Sequence, residues 1–393
     1  MDALALPRHG TSLLKLGYNH VGLDDCWQSC TGEGGSFHDA AGQPIINTSR
    51  FPSLKAMVQH GHAEGVKVGF YGDNCRCHER DPENTHYVQD ANLTESLGFD
   101  GYKIDSCGNQ RDMDRWASEF SKPGRHDIMV ESCGNGPNGT NPKKDLYTGP
   151  DHLGLIPSWR NQLADTCPFS FFRVSVDVAP QFESTIYNLN RALPYLQPQS
   201  AGAGNPLSRP GCWAYPGLYA TLSHSSVSFS QCLARVHESC VCRLVLLSHG
   251  LLSADMLEVG VEPMTPVESR THFAMWCISS APLILVRSNV STVESSTQIL
   301  YSESLLVWQG FDLHDSEVVE ANWDIIANEE ALNVSQSWHG HPGFLVKNSS
   351  QYYTAYVKHG FSGTRGENHS LPTYQVSCPK RRKFSPYDCR SHP

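Results

Sequence analysis

Short apolar runs that stop at a carboxylate recur along this chain, and segments of helical character separate them. Residues 99–108 read Phe-Asp-Gly-Tyr-Lys-Ile-Asp-Ser-Cys-Gly, a β-rich run through Tyr102 and Ile104 that ends at Asp105 and breaks at Cys107-Gly108. The run Asn19–Trp27 carries Asp24 and Asp25, Val66–Asp73 carries Tyr71, Asp127–Glu131 leads to Ser132-Cys133-Gly134, and Phe171–Asp177 ends on Asp177. Thr11–Tyr18 is expected to be the end of a helix and Gly61–Gly65 to close another, with further helices over Val88–Leu97, Arg111–Phe120 and Ser269–Ser279 and a further strand at Pro282–Val286. Strands alternating with helices build βαβ units and a parallel sheet. Polar groups gathered at the strand ends are how a (β/α)8 barrel presents its active site. A doubly wound sheet would alternate similarly, but its glycine-rich phosphate turn is missing after the first strand.

The chain has 393 residues, which suits a barrel of roughly 250 residues with something smaller attached. About seven barrel strands are legible where eight are needed, and the chain opens within what should be the first helix. The first strand is therefore expected upstream of Met1. The barrel is assigned to residues 1–300, with an atypical insert at 217–254 that holds a single acidic residue, Glu238. That insert reads either as a rim loop or helical hairpin, or as an unspliced intron translated in frame. Residues 301–393 are expected to form a partial, truncated C-terminal antiparallel β domain, with strands at Ala331–Trp338, Phe344–Val346 and Tyr352–Val357.

The formal net charge is −10, and the only basic cluster is Lys380-Arg381-Arg382-Lys383, so nucleic acid is an unlikely class of partner. No apolar stretch is long enough for a membrane span. Fourteen cysteines, with sequons at Asn47, Asn92, Asn138, Asn289, Asn333, Asn348 and Asn368, point to a secreted or vacuolar/lysosomal glycoprotein with disulfides. No signal peptide opens the chain, and a missing N-terminal piece would reconcile the two observations. The oligomeric state is not legible.

Lys103 and Asp105 are two apart, so a strand puts both on one face, where the ammonium would keep the carboxylate ionised. A structural ion pair at a strand end is the competing reading. The competing readings are a solvated turn for the Asp24-Asp25 pair, an ordinary core or rim aromatic for Tyr71, and a helix N-cap for Asp255. A metal site at Cys75-Arg76-Cys77-His78 lacks a second ligand pair, so neither metal nor cofactor is expected.

Several segments together are more specific. Leu16-Gly17-Tyr18 with Gly22–Trp27, Gly69–Asp73, Tyr102–Asp105, Phe172–Asp177, Leu207–Pro216, Asp255–Gly260, Ala274-Met275-Trp276 and Ala281-Pro282-Leu283 resemble, in order, the retaining alpha-galactosidases of the melibiase family, glycoside hydrolase family 27. The resemblance implies a (β/α)8 barrel followed by an antiparallel β domain. It implies double displacement on a terminal α-linked galactose, with Asp105 as nucleophile and Asp177 as acid/base, their carboxyls about 5–5.5 Å apart. It gives Asp24, Asp25, Tyr71, Lys103, Arg173 and Asp255 to substrate binding, and pairs Cys107 with Cys75 or Cys77 and Cys133 with Cys167. The chain departs from the family in its missing opening strand, in Gly134-Asn135 after Cys133, in the insert, and at its C-terminal end. Runner-up activities are alpha-N-acetylgalactosaminidase and β-L-arabinopyranosidase, and a vestigial sugar-binding protein is the non-enzymatic alternative.

Overall fold

The structure is a computed structural model. It describes residues 1–25, 27–72, 77, 86–105, 109–133, 166–175, 178, 181–196, 207–216, 257–285, 313, 315–338 and 340–343, and the backbone of 352–359 and 365–372. Six strands, β1 (His20–Gly22), β2 (Lys67–Tyr71), β3 (Gly101–Ile104), β4 (Met129–Ser132), β5 (Phe171–Arg173) and β6 (Trp213–Tyr215), form one sheet. Their spatial order equals their chain order and every pairing is parallel. A doubly wound sheet reverses its strand order at a switch point; this one never does, so it winds in a single sense as half of a barrel.

The described crossover helices form for local reasons. The helix α1 (Leu54–Ala63) is capped by Ser53, whose Oγ accepts the Ala56 N–H at 3.1 Å. The next, α2 (Tyr87–Leu97), ends where Gly98 turns left-handed at φ 83°. Asp112 caps α3 (Met113–Phe120), α4 spans Phe182–Leu196, and α5 (Pro266–Ile278) opens on a reciprocal Thr265/Glu268 capping box with Pro266 in its first turn.

The strand registers divide the side chains between two faces. Phe70, Tyr102, Ile104, Val130, Phe172 and Ala214 point outward and pack with Val58, Tyr87, Trp116 and Tyr195 of the helices. Phe171 and Tyr215 point inward, into a second cluster that holds Leu4, Leu13, Tyr18, Phe273 and Trp276. Each face is buried, which is why the strands read as apolar runs without clean alternation.

Three expectations differ from the structure. Thr11–Tyr18 is a series of turns, because Gly17 takes φ 105° and ends any helical continuation. Ala331–Trp338 is not a strand: Asn328 caps α8 (Glu329–Gln336), which follows α6 (Ser316–Ala321) and α7 (Trp323–Ile326). These short helices bury Val319, Ile325, Ile326 and Leu332 in the inner cluster, and burial on one helical face mimicked alternation in so short a segment. The described part of Pro282–Val286 is not in a strand either. Its Leu283, Ile284 and Leu285 pack on the inner cluster, so burial without strand pairing accounts for the apolar run. Farther on, β7 (Tyr352–His359) and β8 (Arg365–Pro372) form an antiparallel pair, in agreement with the strand expected at Tyr352–Val357. The insert 217–254 and Phe344–Val346 lie outside the described residues.

Candidate active site

The carboxyl ends of β1 to β6 carry the polar side chains. Asp24 and Asp25 follow β1 by two and three residues, Tyr71 closes β2, Lys103 is on β3 with Asp105 just beyond it, and Arg173 and Tyr215 close β5 and β6. The register pairs Tyr71 with Lys103, Lys103 with Glu131, and Arg173 with Tyr215, so all five share the concave face.

Asp105 is buried, 5% exposed, and one oxygen accepts the Tyr71 hydroxyl at 2.9 Å. Tyr71 is itself fixed: the indole N–H of buried Trp27 donates to its backbone carbonyl at 2.9 Å. Lys103 Nζ reaches over β2 to Asp24 Oδ2 at 2.8 Å, with the Tyr71 ring centroid 5.7 Å away. The other Asp24 oxygen accepts the Asp25 backbone N–H at 2.8 Å, which orients the acidic pair. Burial pushes the Lys103 pKa down, but the combined field of Asp24, Cys133, Glu131 and Asp105 outweighs it and holds the ammonium well above its ordinary range. Lys103 therefore stays an ammonium, paired directly with Asp24.

On the far side, the Tyr215 hydroxyl reaches across β5 and donates to Glu131 Oε1 at 2.8 Å. The Cys133 thiol lies 3.6 Å from the same oxygen. Arg173, 1% exposed, donates through Nη2 to the Cys133 carbonyl at 3.4 Å. Asp177 and Asp255 lie outside the described residues, as does Cys107.

Two of the implied disulfides, Cys77–Cys107 and Cys133–Cys167, are not formed, while the alternative Cys75–Cys107 pairing lies outside the described residues. Cys77 bonds to Cys30, and Cys167 bonds to Cys212 with Cα atoms 6.0 Å apart. The sheet explains the second: Cys167 and Cys212 precede the paired strands β5 and β6 at their amino ends, whereas Cys133 follows β4 at the carboxyl end and keeps its thiol. A strand length separates Cys133 from Cys167. Among the described residues, no group of three or more His, Cys, Asp or Glu side chains is arranged to hold a metal ion.

Glu131 and Tyr215 are the participants that sequence reasoning missed. The cue was present, since Glu131 occupies on β4 the place that Lys103 occupies on β3. A sequentially wound parallel sheet with its charged groups at the carboxyl ends defines a barrel-type α/β protein with a polar site at the barrel mouth.

Residues 7–161 match the Melibiase_2 family, described as alpha galactosidase A. The chain is 26% identical over 305 residues to an alpha-galactosidase of Oryza sativa subsp. japonica, covering 76% of this chain and 55% of the rice protein. An alpha-galactosidase of Coffea arabica is 24% identical over 301 residues, covering 75% of this chain and 60% of the coffee protein. Among solved structures, an alpha-galactosidase of Saccharomyces cerevisiae shares the fold with a TM-score of 0.53 at 17% identity, covering 91% of this chain and 61% of that one. Over these segments the chain is similar to alpha-galactosidases, and it spans little more than half the length of the relatives it matches.

Proposed function

We propose that this chain carries the barrel of a retaining glycoside hydrolase, an alpha-galactosidase that removes terminal α-linked galactose from oligosaccharides and simple galactosides. The observation that carries the reading is Asp105: a buried carboxylate at the carboxyl end of β3, aimed by the Tyr71 hydroxyl at 2.9 Å and standing in the field of Lys103. A carboxylate so oriented can attack an anomeric carbon. Asp105 displaces the glycosidic oxygen to form a covalent galactosyl-enzyme as Asp177 gives that oxygen a proton. Asp177 then takes a proton from water, which attacks the same carbon and releases galactose with its anomeric configuration retained. Asp24 and Asp25 accept from the 4-OH and 6-OH, and an epimer that lacks the axial 4-OH leaves them unpaired. Arg173 holds a further hydroxyl, and Asp255 adds a contact from the segment that follows the insert. This chemistry needs no metal or cofactor.

Residues 1–300 would form the (β/α)8 catalytic barrel and 301–393 a partial antiparallel β domain. The disulfides Cys30–Cys77 and Cys167–Cys212 support a secreted or vacuolar/lysosomal location. Among the described residues, no helix is long and apolar enough to cross a membrane.

The test is hydrolysis of nitrophenyl α-galactoside by the full chain and by Asp105→Asn. The variant is expected to lose more than about 10³-fold in kcat while folding normally. Equal turnover by the two proteins would overturn the assignment. Galactose binding without hydrolysis by the unaltered chain would overturn the enzymatic reading in favour of a sugar-binding protein.

A further inference from the structure

Glu131 is not explained by the chemistry above. It lies on β4 with its Cα in register with that of Lys103, and the pleat puts both side chains on the concave face. Its Oε1 is held from across the sheet by the Tyr215 hydroxyl at 2.8 Å, and the Cys133 thiol stands 3.6 Å from the same atom. Tyr215 is fully buried and packs against Phe171 and Trp276, so its hydroxyl is a rigid donor. A carboxylate anchored this firmly is placed for a neighbouring charge.

We propose that Glu131 is a positioning residue, a second anionic anchor for Lys103 that Tyr215 holds in place and that shares the ammonium with Asp24. Lys103 then lies between two fixed carboxylates, one beyond β1 and one on β4, with its ammonium 5.7 Å from the Tyr71 ring centroid. Asp24 reaches Nζ at 2.8 Å from one side. The groups facing Lys103 are Asp24 from the β1 loop, Tyr71 from β2, Asp105 beyond β3, and Glu131 and Cys133 from β4. All the anions among them act to keep its proton on. With Glu131 in place, a bound hydroxyl that draws on Asp24 does not leave Lys103 without a counter-charge. This last consequence rests on the galactoside reading, whereas the anchoring itself does not.

The test therefore reads Lys103 directly. Competitive acylation of the full chain with acetic anhydride at pH 9 labels lysines in proportion to their neutral fraction, with exposed Lys55 as internal reference. Glu131→Gln keeps an acceptor for Tyr215 and removes only the charge, so Lys103 should label about 5- to 10-fold faster. Tyr215→Phe keeps every charge and frees the carboxylate, so its increase should be smaller, about 2-fold. Unchanged labelling in natively folded Glu131→Gln overturns the proposal. Loss of native circular dichroism in both variants also overturns it, since the pair would then hold the sheet and not the lysine. If nitrophenyl α-galactoside is hydrolysed, Glu131→Gln should raise KM with a smaller change in kcat. If it is not hydrolysed, the labelling result still stands.

Discussion

Tyr71 joins the framework to the proposed nucleophile. Its ring is buried, its carbonyl is held by Trp27, and its hydroxyl ends on Asp105. Tyr71→Phe takes a hydrogen bond from a buried carboxyl, so it should lower kcat/KM on nitrophenyl α-galactoside by about 10- to 100-fold and lower the unfolding midpoint as well. An unaltered kcat/KM would remove Tyr71 from the site. Position at strand ends and the family resemblance marked Asp24, Tyr71, Lys103 and Asp105 as candidates, but spacing paired Lys103 with Asp105, two residues along the same strand. The structure gives Lys103 a direct contact with Asp24, 79 positions away, because the strand order lays β1 and β3 on either side of β2. No local rule carries that information.

Among the elements, the strands were more legible than what joins them. Each of β1 to β5 falls within a predicted run, since two buried faces demand a continuous apolar stretch. The segment Ala331–Trp338 misled because six to eight residues can satisfy either period. The Asn328 cap and the acidic pair Glu329-Glu330 were the cues that decide for a helix. The cysteine pairing could not be read from spacing, since it depends on which strand ends are neighbours. Cys167–Cys212 closes a separation of 45 residues across β5 and β6. Cys212→Ser should cost about 2–4 kcal/mol in denaturant unfolding. Peptide mapping without reduction should recover the 30–77 and 167–212 links, and a 133–167 link would contradict the sheet order.

At the level of the whole molecule, two buried groups, His272 of α5 and Glu258 beside it, set a pH window. Burial pushes the Glu258 carboxyl up to about 8 from 4.5, and pushes His272 down to about 3 from 6.5. His272 Nε2 accepts the Glu258 backbone N–H at 3.0 Å, so its other nitrogen carries the proton and faces the Thr185 hydroxyl at 3.1 Å. Between about pH 4.5 and 8 the folded state holds the Glu258 proton more tightly than the unfolded chain, so stability from this group falls as pH rises. Between about pH 3 and 6.5 the unfolded chain holds the His272 proton more tightly, so stability from that group falls as pH drops. The two slopes oppose each other from about pH 4.5 to 6.5, where stability should be greatest. Denaturant midpoints across pH should trace that maximum, and Glu258→Gln should flatten the alkaline limb. A midpoint that keeps rising from pH 6.5 to 8 would rule out a buried neutral Glu258.

What the sequence determined by itself was the kind of layer each segment could enter: runs apolar enough to be buried on both faces, helices between them, and acids at the ends where an apolar run must stop. These are local matters of hydration and backbone period. Which side chains meet was decided by the tertiary structure. Curvature of the sheet brings β1 to β3 and β4 to β6 within side-chain reach, and so joins Asp24 to Lys103 and Tyr215 to Glu131. Strand order and register are properties of the closed packing, and a contact across an intervening strand exists only once that packing has formed.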